Sequence, residues 1–314
     1  MVVLYTTMST TLDVSIDKMN ISDDDNNITD GTATNKDNEL SVCANCGKGG
    51  SSNEIDNVCN KCKQVKYCNA ACKKKHRHKH KKECDRRIAE LHDKELFRQP
   101  PPKEDCPICF IRLPTLITGY KFQSCCGKMI CSGCIHAPVY DDQGNKVDNK
   151  KCPFCRIPTP YTNDEIRERL KKRMEAGDAH AMHNLGIYFS CGEGGLPQDY
   201  KKAIELFRRS AELGDAVAYS SIGYVYYHGR GVEIDMKKAY YYYELAAIGG
   251  IVQARHNLGL MEGRAGNNER ALKHWTIAVR DGESKSLKQI KVLYLNGQQQ
   301  KKTIQKHYNY IKNI

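Results

Sequence analysis

The residues with the strongest chemical signature in this 314-residue chain are its sixteen cysteines, fifteen of which lie between Cys43 and Cys155. They come in close pairs. The first group reads Cys43-x2-Cys46-x12-Cys59-x2-Cys62-x5-Cys68-x3-Cys72-x7-His80-x3-Cys84. Two residues between paired cysteines let both thiolates reach one ion from a tight turn, and four S or N donors at roughly 2.3 Å are what structural zinc takes. The Cys68-x3-Cys72 and His80-x3-Cys84 spacings fit ligand pairs one helical turn apart. Eight donors make two tetrahedral sites. The second group, Cys106-x2-Cys109, Cys125-Cys126, Cys131-x2-Cys134 and Cys152-x2-Cys155, adds eight thiols, so four zinc ions per chain are expected. Their role is folding, since a unit of about 42 residues cannot bury enough apolar area by itself. Cys191 is left over and reads as an ordinary thiol.

The elements that position these donors follow from composition shifts along the chain. Residues 1–42 carry eight acidic and two basic side chains among many Asn, Thr and Ser, which is too polar for a packed core and is expected to be a disordered tail. A donor-rich module over 43–84 is followed by a cysteine-free stretch, 85–105, read as a basic helix and a linker containing Pro100-Pro101-Pro102. A second module spans 106–156. Past residue 160 the chain turns to Ala, Gly, Leu and Tyr at helical spacing. The pairs Leu185-Gly186, Ile222-Gly223 and Leu258-Gly259 recur at intervals of 37 and 36, and Ala203, Ala239 and Ala271 at 36 and 32, the period of a two-helix unit. Gly192, Gly214, Gly229 and Gly250 are placed to stop helices. The buried glycines mark sites where neighbouring helices approach too closely for a larger side chain. The fold class expected is α-rich and multidomain: two small zinc-stabilised cross-brace modules, then an α-helical solenoid over 165–314.

Three family resemblances attach to these stretches. The YC-x3-C and H-x3-C elements make residues 43–84 similar to a MYND-type zinc finger, which implies one zinc on Cys43, Cys46, Cys68 and Cys72 and a second on Cys59, Cys62, His80 and Cys84. Arg77 stands where that family usually carries tryptophan. The family's surface binds short proline-containing peptides. The A-x-x-x-[LI]-G-x-x-[YF]-x-x-G pattern followed by D-x-x-K-A and A-E-L-G-D-A resembles Sel-one-like repeats, relatives of the tetratricopeptide repeat, over about 165–297. A fourth unit begins at Leu287, with Tyr294 and Gly297 in register. Such solenoids commonly hold a protein partner on their concave face.

The CPIC opening, C-G-x-x-I-C-x-x-C centre and CPFCR close resemble a RING finger. Its cross-brace implies one zinc on Cys106, Cys109, Cys131 and Cys134 and another on Cys125, Cys126, Cys152 and Cys155. Lys128 occupies the place of the usual ligand histidine and has no lone pair to offer. Adjacent cysteines point apart in an extended chain, so sharing an ion needs a turn, and His136 is the alternative donor. The resemblance implies docking of a ubiquitin-conjugating enzyme by Ile108, Pro153 and Phe154, with Arg156 bridging enzyme and ubiquitin, its fixed fork of donors able to reach two carbonyls. The segment 135–151 lacks the family's helix and tryptophan. The function expected is therefore a RING-type ubiquitin ligase whose MYND finger and repeats recruit protein clients; the alternative is a zinc-folded interaction scaffold without ligase activity.

Net charge is +12, and the ten basic residues Lys73–Lys82 read either as a nucleic-acid patch of a regulator or as a solvated helix face. No Gly-rich phosphate loop, Ser-His-Asp arrangement or paired catalytic carboxylate is present, which argues against a metabolic enzyme. His180, His183, His228, His256 and His274 read as ordinary solenoid side chains, and Tyr240–Tyr243 as packing. Mean hydropathy is −0.64, and no apolar stretch approaches the ~18 residues of a membrane helix. With no basic-then-apolar leader at the N-terminus, a reducing compartment, cytoplasm or nucleus, is expected.

Overall fold

The computed structural model describes residues 41–50, 57–140, 142–147 and 150–296; the expected disordered tail, up to residue 40, and Gly297 of the fourth repeat lie outside them. The described residues fall into two compact units divided between Asp93 and Lys94.

In the first unit, two antiparallel ribbons, β1 (Ser41–Val42) with β2 (Gly49–Gly50) and β3 (Asn57–Val58) with β4 (Lys66–Tyr67), precede helix α1 (Ala70–Leu96). Ala44 N donates to Lys66 O at 3.1 Å and ties the first ribbon to the second. Asn69 caps α1, its Oδ1 accepting from Cys72 N at 2.8 Å. The helix runs unbroken through Cys84, so the division read at that ligand is a boundary of donors and not of backbone. Among the described residues of this unit only Cys43, Cys62, Tyr67, His80 and Cys84 are buried. Four of those five are candidate metal donors, so the unit has almost no apolar core of its own.

The second unit begins with the last turn of α1 and includes the second cysteine module together with the repeats. In the module, β5 (Tyr120–Phe122) pairs with β6 (Met129–Cys131), helix α2 (Ser132–His136) follows, and β7 (Val139–Tyr140) pairs with β8 (Lys146–Val147). Its small core is Cys106, Leu113, Ile130 and Cys152. After α3 (Asn163–Glu175) come three helix pairs, α4 (Ala179–Cys191) with α5 (Tyr200–Glu212), α6 (Ala216–His228) with α7 (Met236–Ile248), and α8 (Val252–Arg264) with α9 (Asn268–Arg280), closed by α10 (Ser284–Asn296). Asp178, Asp199, Asp215 and Asp235 each cap a helix through a carboxylate that accepts from backbone N–H groups one turn in. Gly192 and Gly229 end α4 and α6 in the left-handed conformation, at φ 68° and 66°. No helix among the described residues is long and apolar enough to cross a membrane.

The helix pairs lock through glycine and aromatic partners. A Cβ on Gly186 would stand 2.7 Å from Phe207, one on Gly223 2.9 Å from Tyr243, and one on Gly259 would run into Trp275. The expected close approach is thus a ring lying flat on bare backbone, repeated in each unit. Of the tyrosine run, Tyr243 makes this contact, Tyr242 stacks on Tyr226 with ring centroids 5.8 Å apart, and Tyr240 donates to Glu262 at 2.6 Å.

The turns between repeats also receive the chain that precedes them. Leu96 is fully buried in the repeat core, and Arg255, itself buried, donates to the Leu96 and Ala247 carbonyls. Phe97 packs tilted against His274, ring centroids 4.7 Å apart. Half-buried Lys103 sits in the field of Asp215 and Asp281, and Thr115 Oγ1 donates to Asp281 O at 2.7 Å. Phe122 packs toward His180, and the Arg173 guanidinium lies over Gly127. The second module is therefore seated on the solenoid.

Gly259→Ala should destabilise the repeats by about 1–3 kcal/mol, the cost of overpacking a tight contact. Denaturant unfolding followed by the fluorescence of Trp275, the sole tryptophan, checks this; an unchanged midpoint would contradict the packing described.

Candidate metal centres

Four turns of one design present the donors. In four of the five Cys-x2-Cys pairs, all but Cys131–Cys134, the residue after the second cysteine donates back to the first: Gly47 N to Cys43 O at 2.9 Å, Lys63 N to Cys59 O at 2.9 Å, Phe110 N to Cys106 O at 2.9 Å, and Arg156 N to Cys152 O at 3.0 Å. That residue is left-handed, at φ 73°, 55°, 59° and 63°. Lys63, Phe110 and Arg156 are the only non-glycine residues with positive φ among the described residues. Each carries a cost of about 1–2 kcal/mol, which the closed turn must offset.

A fifth turn of the same design explains the adjacent cysteines. Gly127 N donates to Gln123 O at 2.7 Å, and Gln123 N to Lys128 O at 3.0 Å, with Gly127 at φ 70°. Gln123 occupies the position of the first cysteine and Cys126 that of the second. Cys125, inside the turn, supplies the thiol that Gln123 lacks.

The structure gathers the sixteen donors into four groups, each with all donor atoms within 4.8 Å of one another: Cys43, Cys46, Cys68 and Cys72; Cys59, Cys62, His80 and Cys84; Cys106, Cys109, Cys131 and Cys134; Cys125, Cys126, Cys152 and Cys155. Sulfur separations such as 3.7 Å for Cys46–Cys68, 3.7 Å for Cys109–Cys131 and 3.4 Å for Cys125–Cys155 are far beyond a disulfide bond. They approach the roughly 3.8 Å edge of a tetrahedron with 2.3 Å metal–sulfur bonds. His80 Nε2 lies 3.2 Å from Cys62 Sγ, and its ring stacks on His76, which Tyr67 OH meets at 3.1 Å. His136 stands exposed at the end of α2, outside the groups.

Electrostatics favour a cation in these spaces. Burial opposes the Cys59 thiolate, yet backbone N–H groups of Cys62 and Lys61 bring its thiol down to about 6, while burial and the neighbouring Cys59 push Cys84 up to about 12. Cys106 and Cys134 repeat that split, at about 6 and about 12. Four thiolates repel one another at this distance, and a divalent ion removes the conflict. The donor set, almost all sulfur, selects zinc over hard oxygen-loving cations.

Of the residues singled out for enzyme docking, Ile108 and Pro153 are half-buried while Phe154 and Arg156 are exposed, and Arg156 is the left-handed residue of its turn. The segment 135–151 holds the β7–β8 hairpin. Lys128 and Arg77 are exposed, and so is Cys191, away from the four groups. Sequence reasoning missed two polar features. Buried Asp215 faces His180 Nδ1 at 3.3 Å and accepts from Ser210 at 3.1 Å, its hydrogen bond to His180 raising the imidazole pKa. Arg255, with its guanidinium buried, has no counterpart in the repeat pattern.

Lys63→Val, a β-branched residue in a left-handed position, should speed zinc release to a chromogenic chelator from the full chain, and Lys63→Gly should not. Equal release from both variants would mean that the left-handed turn does not hold the site.

Comparisons agree with this geometry. The MYND finger family matches residues 43–84, and the Sel1 repeat family matches three times, at 179–215, 216–251 and 252–283. Among curated proteins, the ERAD-associated E3 ubiquitin-protein ligase components HRD3B and HRD3A of Arabidopsis thaliana are each 29% identical, over 114 and 68 residues, or 36% and 22% of this chain. The chain spans 18% and 10% of their lengths. Among solved structures, a Sel1 repeat protein from Oxalobacter formigenes is 29% identical with a TM-score of 0.43, covering 50% of this chain and 64% of that one. A protective antigen of uropathogenic Escherichia coli is 28% identical with a TM-score of 0.41, covering 47% and 33%. The cysteine pairs, the paired helices and the two family models converge on one description: the chain carries a zinc-binding MYND finger and, further along, three Sel1 repeats.

Proposed function

We propose that this protein is a zinc-folded adaptor of ubiquitin transfer, docking a ubiquitin-conjugating enzyme on its second cysteine module and gathering protein clients with the MYND finger and the repeats. One zinc ion is assigned to each of the four donor groups. The observation that carries the reading is apolar exposure on the module's two Cys-Pro-x-Cys turns. Phe110 is 78% exposed and Ile111 68%, and on the other turn Phe154, at the place of Ile108, is 43% and Ile157, at the place of Ile111, 44% exposed. A small module that leaves such side chains in water has a partner for them. Ile108, Pro153 and Phe154 form the groove in this reading, and Arg156 holds the thioester-linked ubiquitin in a reactive orientation, which is catalysis by positioning. The names of the two plant relatives support a role within ligase machinery. Fifteen ligand thiolates suit a reducing compartment, cytoplasm or nucleus.

A second reading, a scaffold of the same partners without ligase activity, is favoured by one feature. Val139–Tyr140 and Lys146–Val147 pair as a short antiparallel ribbon where a RING finger carries a helix for its conjugating enzyme.

Elemental analysis of the purified chain should return four zinc ions, and a value near two would remove one module from the assignment. Cys43→Ser should lose the zinc of the first unit and leave Trp275 fluorescence unchanged, because site binding energy is folding energy in units this small. In a reconstituted reaction with a panel of conjugating enzymes, Ile108→Ala should weaken docking about tenfold, or ~1.4 kcal/mol, at constant zinc content. Arg156→Ala should preserve docking and slow ubiquitin discharge. Neither binding nor discharge across the panel replaces the ligase reading with the scaffold.

A further inference from the structure

Helix α1 is built in two halves that obey different rules. From Glu83 onward its charges alternate in sign and pair, Arg86 with Glu83 and Glu90, Arg87 with Glu90 at 3.2 Å, as a solvated helix does. From Lys73 to Lys82 there is no acidic residue at all. One edge of this half is occupied by the zinc module: His80 and Cys84 are buried, Cys72 and His76 half-buried, and Lys73 donates to Asn60 at 2.7 Å. Lys74, Lys75, Arg77, His78, Lys79, Lys81 and Lys82 are all exposed. At 3.6 residues per turn they cover about 200° of the helix circumference.

Among the described residues of the first unit nothing rewards this arrangement. No acidic residue stands in the first turn of α1, so the lysines there oppose the macrodipole. Lys75 with Lys79 and Arg77 with Lys81 are like-charged i,i+4 neighbours, each unfavourable. None of Lys74, Lys75, Arg77, Lys79, Lys81 and Lys82 has a carboxylate partner among the described residues. Local rules broken together on one surface point to a surface kept for a ligand, and here that ligand is a dense polyanion.

We propose that the exposed face of α1 between Lys74 and Lys82 binds the phosphate backbone of double-stranded nucleic acid without regard to sequence. The face rises about 12 Å, over which a duplex presents about seven phosphate charges. That matches the six formal cations displayed. No aromatic or aliphatic side chain stands among them, whereas a protein interface recruits such anchors and a membrane-surface helix inserts them. Lysine predominates, and no Asn or Gln is present to read adenine edges. The contacts therefore position the chain on the backbone and carry no base information.

The test is fluorescence anisotropy of a labelled 20-base-pair duplex with zinc-loaded full-length protein across a salt series. Binding should weaken linearly in log–log form with a slope of about −4, as for four or five neutralised phosphates. The variant carrying Lys74→Gln, Lys75→Gln, Lys79→Gln and Lys82→Gln should lose at least about tenfold in affinity and most of that slope. Its zinc content and circular dichroism should be unchanged, and lysine-to-arginine changes at the same four positions should restore binding. Absence of duplex binding at low salt, or equal affinity of the glutamine and arginine variants, overturns the proposal. Displacement by polyglutamate as readily as by unlabelled duplex of equal charge overturns it in favour of an acidic polypeptide partner.

Discussion

Attraction between crowded thiolates and a divalent cation is the interaction on which the first half of this molecule depends. Among the described residues of the first unit the buried side chains are four donors and Tyr67. A unit with that interior has no hydrophobic reserve, so its fold and its metal content are one quantity. The left-handed turn is the local form of the same dependence. Lys63, Phe110 and Arg156 adopt a conformation their side chains disfavour, because that backbone closes the turn that aims two thiols at one point.

The second half rests on a different physics. There the core is made of Ala, Leu, Ile and aromatic side chains packed between helices, and each unit closes with a ring on a glycine. What joins the two kinds of construction is the stretch from Leu96 to Phe122. Its anchors differ in character: an apolar plug at Leu96, a buried guanidinium from Arg255 satisfying the carbonyl at the end of α1, a half-buried lysine in the field of two aspartates, and a threonine hydroxyl on Asp281 O. Client selection by the repeats and enzyme docking by the second module would thus occur on one compact body.

The donors and the repeats were legible in the sequence because both rest on short-range periodicity. Pair spacing is fixed by the reach of a turn, and the Gly186, Gly223, Gly259 series by helix pitch. The sharing of one space by Cys125 and Cys126 followed from the RING resemblance, with His136 left as the alternative; the turn that makes it was not legible, since it works through the backbone of Gln123, a residue with no thiol to betray it. Helix was legible on both sides of Cys84 but not its continuity, since the chemistry of α1 ends at that ligand while the helix runs on to Leu96. Arg255 breaks the repeat pattern to meet a segment about 160 residues earlier in the chain, and no local periodicity encodes such a meeting.

The central claim, that all four donor groups hold zinc through fifteen sulfurs and one imidazole nitrogen, is tested most directly by X-ray absorption at the zinc edge of the purified chain. The coordination shell should fit four donors per ion, almost entirely sulfur at about 2.3 Å, with a single minor nitrogen contribution. A shell averaging two or more nitrogen or oxygen donors per zinc would contradict the claim, because the sixteen donors grouped here could not produce it.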